Sequence, residues 1–229
     1  MIVALHSVPE GFFKKKPPHS NDELLGLVQK AASMGFKAVQ IGPLSDYVPV
    51  ESKRLRKVLD VLGLERNVHV GGLYDAEKIA SSLDECTSIG KQIHGGILLC
   101  RELSTTLVSV HPPFFATGDD APVKILSKAR SRFLKLLKAE VDFASHNGIK
   151  VALESFCYPP FIFQDLEDFA QFVGEFPSKK LGVLLDAGHV YQMGIDLKKA
   201  VRTFEDRLLD VRVHDATRIG IFGRLLTFR

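Results

Sequence analysis

Seven times along the chain a short apolar run gives way to an amphipathic stretch, and this alternation restricts the fold more than any other feature. The runs are 2–8 (IVALHSV), 37–43 (KAVQIGP), 67–75 (NVHVGGLYD), 106–113 (TLVSVHPP), 150–156 (KVALESF), 181–185 (LGVLL) and 208–215 (LLDVRVHD). Each has the length and β-branched content of a strand. Between them the apolar residues recur at helical spacing. Ser20-Asn21-Asp22-Glu23 reads as a capping box ahead of Leu24, Val28 and Ala31, with Gly35 as the stop. Further helices are expected over 51–62, 76–91, 129–146, 165–176 and 196–206, while 92–104 carries no clear signal. Strands and helices that alternate at intervals of roughly 25–40 residues make a parallel sheet with crossover helices.

Two architectures satisfy that pattern. A doubly wound sheet usually places a glycine-rich turn after its first strand. Here the position holds SVPEGFFKKKPP, which is no phosphate cradle. A (β/α) barrel instead collects its polar groups from the C-terminal ends of many strands. That is the distribution seen: His69, His111, Glu154, Asp186, His189 and the pair Arg212 and His214. The expectation is an α/β fold of TIM-barrel type, one domain over 1–229, incomplete, with seven parallel strands and a short irregular C-terminal tail.

Composition narrows the class without naming an activity. The chain has 229 residues, 45% hydrophobic and 25% charged, as soluble proteins do. A net charge of +3 permits a phosphorylated substrate or nucleic acid and demands neither. Lys14-Lys15-Lys16 reads first as a solvated loop, and otherwise as a mobile loop that attracts phosphate. Cys86, Cys100 and Cys157 lack metal-like spacing and read as reduced thiols of a cytoplasmic protein. The first residues show no secretory leader, and no run reaches the ~20 apolar residues of a membrane span.

The chemistry concentrates in Leu181–Gln192 (LGVLLDAGHVYQ). Asp186 offers hard oxygen and His189 borderline nitrogen, a pair suited to a divalent metal. An Asp closing a strand serves equally well as a helix cap. Glu154 at the end of the fifth strand has an ion-pair partner as its plainer role, and His69 a packed or surface histidine as its plainer role.

VALESF (151–156), LGVLLDAGHVY (181–191), LVSVHPP (107–113) and VHDAT (213–217) together resemble the xylose-isomerase-like barrels. That superfamily includes sugar-phosphate isomerases and epimerases and the metal-dependent apurinic-site endonucleases. The resemblance covers roughly 1–217 and leaves 218–229 as an atypical tail. It implies that Glu154 and Asp186 are metal ligands, that His189 is a ligand or substrate contact, and that His111 and, more loosely, His69 are ligands as in the endonuclease branch. The implied ion is Mn²⁺, Zn²⁺, Mg²⁺ or Co²⁺.

Two departures matter. The family's seventh-strand metal histidine is Arg212 here, with His214 sharing its strand face as a replacement ligand and a positive charge brought beside the metal. No Asp or Glu follows Asp215, so the family's last carboxylate is missing, and RIGIFGRLLTFR leaves no room for a crossover helix. The tail reads as a truncation or a frame-altered end. The open barrel edge suggests a homo-oligomer that covers it. The expected function is metal-dependent isomerisation or epimerisation of a small sugar or sugar phosphate, weak or absent if these departures are disabling. Glu154 and His189 are the catalytic candidates. The alternatives are an apurinic-site endonuclease acting on nucleic acid and a degenerate barrel that binds without turnover.

Overall fold

A computed structural model of the chain describes residues 4–6 (backbone only), 20–42, 50–72, 74–115, 123–156 and 161–213. The Lys14–Lys16 run, Cys157, His214 and the tail after it lie outside the described residues. Seven strands form one parallel sheet in sequence order: β1 (Ala4–His6), β2 (Ala38–Ile41), β3 (Glu65–Val70), β4 (Leu107–Val110), β5 (Lys150–Glu154), β6 (Leu181–Asp186) and β7 (Leu208–Arg212). Among the described residues no pairing joins β1 to β7, so the sheet is an incomplete barrel. Its curvature shows in bonds across the interior. Asn67 of β3 donates to Asp210 of β7 at 3.0 Å, and Arg212 of β7 donates to Gln40 of β2 at 2.9 Å.

β2, β3, β4 and β5 are shorter than their apolar runs, while β6 extends one residue further, to Asp186. The third run begins earlier, at Glu65, and ends at Val70, because Gly71-Gly72 follow and Asp75 turns away to cap a helix. The outer helices are α1 (Asn21–Ser33), α2 (Ser52–Leu62), α3 (Ala76–Ser81), α4 (Leu83–Leu103), α5 (Val123–His146), α6 (Leu166–Gly174), α7 (Ala187–Gln192) and α8 (Leu197–Thr203). Ser20 caps α1 as expected, accepting from Glu23 N at 3.2 Å. Ser82 breaks the helix expected over 76–91: its backbone is extended, and Oγ accepts from Asp84 N and Glu85 N to start α4. The break lets α4 run on through the stretch that carried no signal. α5 starts at Val123 rather than Ala129, and 196–206 divides into α8 and a 3₁₀ turn over Glu205–Arg207.

Alternation along the strands sorts the residues into two sets. Val68, Val70, Val108, Val110, Val151, Leu153, Val183 and Leu185 turn outward and are buried under the helices. They meet Leu55 and Leu59 of α2, Ile93 and Ile97 of α4, Phe133 and Leu137 of α5 and Phe169 of α6 in one cluster. Each such side chain contributes about 1.5–3 kcal/mol through burial. α4 lies so close to β3 that a Cβ on Gly96 would stand 2.2 Å from Val70 Cγ2. The inward set joins small or apolar residues, Ala38, Ala152 and Leu184, to the polar Gln40, Asn67, His69, Ser109, Glu154, Asp186, Asp210 and Arg212, and the polar ones form the site. No helix among the described residues is long and apolar enough to cross a membrane.

Candidate metal centre

Glu154 ends β5 and is completely buried, with 0% of its surface exposed. Its two carboxylate oxygens face different neighbours. Oε1 lies 2.8 Å from Arg212 Nη1 and 3.5 Å from His189 Nε2. Oε2 lies 3.1 Å from His111 Nε2 and 3.9 Å from His69 Nε2. Burial opposes the charged form of Glu154. The charges of Arg212 and His111, with polar contacts from His111 and His189, outweigh it and hold the carboxyl well below the usual carboxylate range.

Asp186 closes β6 and fills two roles. Oδ1 accepts from His189 N at 3.1 Å and so caps α7, a short helix not among those expected by range but in line with the cap role open to Asp186. Oδ2 faces the centre, 3.7 Å from His189 Nε2 and 3.8 Å from Arg212 Nη1. The cap role and the ligand role therefore coexist on opposite oxygens. Ser155 Oγ accepts from Asp186 N at 3.0 Å and fixes the strand end. His189 sits in α7 with Nδ1 3.4 Å from Gln192 Oε1. A proton on Nδ1 directed to that oxygen leaves the lone pair on Nε2, toward Glu154.

His69 is held from behind. Its Nδ1 lies 2.8 Å from Ser109 Oγ, and that hydroxyl is directed to Val68 O at 3.5 Å. With Ser109 donating to the carbonyl, His69 Nδ1 is the donor and Nε2 the lone-pair nitrogen. Gln40 Nε2 donates to the same hydroxyl at 3.4 Å, and Gln40 Oε1 receives Arg212 Nη2. One polar chain thus runs Arg212–Gln40–Ser109–His69 across four strands. His111 lies just past β4, edge-on to His69 with ring centres 4.6 Å apart. Phe156 backs both sides of the centre, its ring 5.0 Å from His111 and 4.0 Å from His189. Above it the segments after β3, β4 and β5 are tied together by Phe114 N to Tyr74 O at 2.8 Å and Ile162 N to Pro113 O at 3.1 Å.

Five of the six ligand candidates therefore meet: His69, His111, Glu154, Asp186 and His189. His214, the sixth, lies outside the described residues, while its face-mate Arg212 stands beside the acids as anticipated. Two donor groups could hold a cation, His69–His111–Glu154 and Glu154–Asp186–His189, each with ligand atoms within 4.8 Å of one another. The first fits a divalent ion. Glu154 Oε2 and His111 Nε2 are buried 3.1 Å apart yet lack hydrogen-bond geometry, and neighbouring ligands of one small ion stand about 3.0–3.4 Å apart. The second already has a guanidinium against its oxygens. Gln40, Ser109, Ser155 and Gln192 carried no role in the sequence reading. Gln40 and Ser109 had a signal, since each is a polar residue at an inward position of an apolar strand.

The fold has many solved likenesses. A D-psicose 3-epimerase with D-tagatose, from Clostridium cellulolyticum H10, superposes with TM-score 0.72 at 15% identity, covering 94% of this chain and 73% of that one. A D-tagatose 3-epimerase-like protein gives 0.73 at 21%, over 94% and 76%. A D-psicose 3-epimerase solved in the presence of D-fructose gives 0.75 at 16%, over 98% and 77%. No curated protein matches the chain in sequence. The model of the xylose isomerase-like TIM barrel matches residues 28–222, and the chain belongs to that family.

Proposed function

We propose that this protein binds a small sugar or sugar phosphate and moves a proton next to its carbonyl, as an isomerase or epimerase does, with one divalent cation (Mn²⁺, Zn²⁺, Mg²⁺ or Co²⁺) held by His69, His111 and Glu154. The observation that carries this is the fully buried, ionised Glu154 ringed by three histidines at the strand ends of a barrel shaped like those of sugar 3-epimerases. A cation there supplies Lewis acidity toward a carbonyl oxygen. Glu154 holds the charge. Its depressed pKa makes it a strong anchor and a weak base, and Asp186 is partly committed to capping α7. Proton transfer therefore falls to His189, whose Nε2 is directed inward by Gln192. The Phe156 ring lies against His111 and His189 and shields those two rings on one side.

The test is deuterium incorporation next to the carbonyl, followed by NMR for a panel of free and phosphorylated pentoses and hexoses with each metal. Exchange that His189→Ala abolishes supports the reading, and none with any sugar overturns it. Saturable sugar binding without exchange would identify a non-catalytic barrel.

A second reading has one observation behind it. The pair His69 and His111 on one carboxylate oxygen is the arrangement expected for the endonuclease branch. The modest net charge of +3 permits DNA binding without calling for it, so this reading stands second. Nicking of an abasic duplex with Zn²⁺ or Mn²⁺ decides it.

A further inference from the structure

We infer that Arg212 is the resident cation of the Glu154–Asp186–His189 side and bars a divalent ion from it, so that any metal is confined to the His69–His111 side. This rests on the metal reading above and adds to it a division of the centre. The contacts split cleanly by carboxylate oxygen. Oε1 of Glu154 receives Arg212 Nη1 at 2.8 Å, and Oε2 faces His111 at 3.1 Å and His69 at 3.9 Å. The same Nη1 stands 3.8 Å from Asp186 Oδ2. A metal bound to Glu154 Oε1 and Asp186 Oδ2 at about 2.0–2.2 Å would need the space and the lone pairs that the guanidinium now uses.

Arg212 cannot simply swing aside, because Nη2 is bonded to Gln40 Oε1 at 2.9 Å and Gln40 is bonded to Ser109. Withdrawal would break that chain as well as the ion pair. Charge points the same way. Two buried carboxylates with one guanidinium and one divalent ion carry a single net positive charge, whereas two such ions would raise it to three. A guanidinium is permanently charged, so the division holds at every pH at which the chain is folded.

The division is tested by metal content of the full chain, measured by elemental analysis and by titration with Mn²⁺ or Zn²⁺ alone. Wild type is expected to bind one ion and Arg212→His two. In wild type, His111→Ala is expected to weaken binding at least ten-fold and Asp186→Asn to leave the stoichiometry at one. Asn is chosen because it still caps α7. Two ions in wild type, no gain in a folded Arg212→His chain, or loss with Asp186→Asn and retention with His111→Ala would each overturn the inference. If Arg212→His does not fold, the other two variants decide. No metal in wild type with one gained by Arg212→His would sink the metal reading and support the role of Arg212.

Discussion

One guanidinium joins three strands at the centre: Arg212 on β7 sets Nη1 2.8 Å from Glu154 Oε1 on β5 and Nη2 2.9 Å from Gln40 Oε1 on β2. Its side chain keeps 18% exposure, while that of Glu154 has none. Removing either partner is therefore not equivalent. Arg212→Met leaves a buried carboxylate without its main counter-charge and is expected to cost about 3–5 kcal/mol. Glu154→Gln leaves a cation that reaches water and is expected to cost about 1–3 kcal/mol. The double variant should cost less than the two added together, by about 0.5–3 kcal/mol. Urea unfolding of the four proteins in chelator-treated buffer measures this, and strict additivity would mean that the pair is not coupled.

Ser109 is expected to matter for metal affinity although it touches no metal-facing atom. Its hydroxyl meets His69 Nδ1 at 2.8 Å and receives Gln40 Nε2 at 3.4 Å. Ser109→Ala removes the partner that orients His69, and Mn²⁺ affinity should fall about 10–100-fold. Stability should fall by about 1–3 kcal/mol, because buried polar atoms lose a bond. Isothermal titration alongside thermal melting checks both. Unchanged affinity would show that His69 is oriented by something else.

The alternation of apolar runs and helical stretches made the parallel sheet legible, because local periodicity and tertiary burial agree there. Strand ends were less so, since Gly71-Gly72 and the capping Asp75 stop β3 well before the apolar pattern fades. The split at Ser82 was hidden because a serine is tolerated within a helix and marks a boundary only when its hydroxyl takes the next N–H groups. At the site, ligand types could be read from strand ends, but the pairing of Arg212 with Glu154 could not. They are far apart in sequence, and only the curl of the sheet brings them together. The double use of Asp186 was hidden likewise: in the sequence cap and ligand read as alternatives, and two oxygens allow both.

Gly42 is expected to be indispensable to the site from outside it. It follows β2 with φ +145°, and a Cβ there would stand 2.0 Å from the backbone oxygen of His69. That neighbour is main chain and cannot rotate away. Gly42→Ala should cost at least about 2 kcal/mol and weaken metal binding by displacing His69. Gly26 is the control. It lies on the exposed face of α1, and a Cβ added there would meet nothing within 4 Å, so Gly26→Ala should stabilise by about 0.5–1 kcal/mol. Denaturant unfolding of the two variants should move in opposite directions, and a shift of the same sign would remove the argument.

Asp210 supplies a pH dependence whose sign runs against that of an ordinary paired acid. Burial raises its carboxyl above the usual 3.8, despite the N–H of Val211 at 2.8 Å, the charge of Arg212 and Asn67 Nδ2 at 3.0 Å. The folded chain then holds this proton more tightly than the unfolded one. Its contribution to stability is greatest below 3.8 and is lost as pH rises through the folded value. Asp210→Asn keeps the shape and an acceptor for Asn67 but cannot ionise. The variant should therefore gain on wild type as pH climbs from about 3 to about 7, by about 1.4 kcal/mol for each unit by which the folded value is raised. Other titrating groups are common to both proteins and largely cancel in the difference. Paired urea titrations across that range measure it, and a difference that stays flat, or that grows in favour of wild type, would show that Asp210 is stabilised as an anion by Asn67 and Arg212 after all.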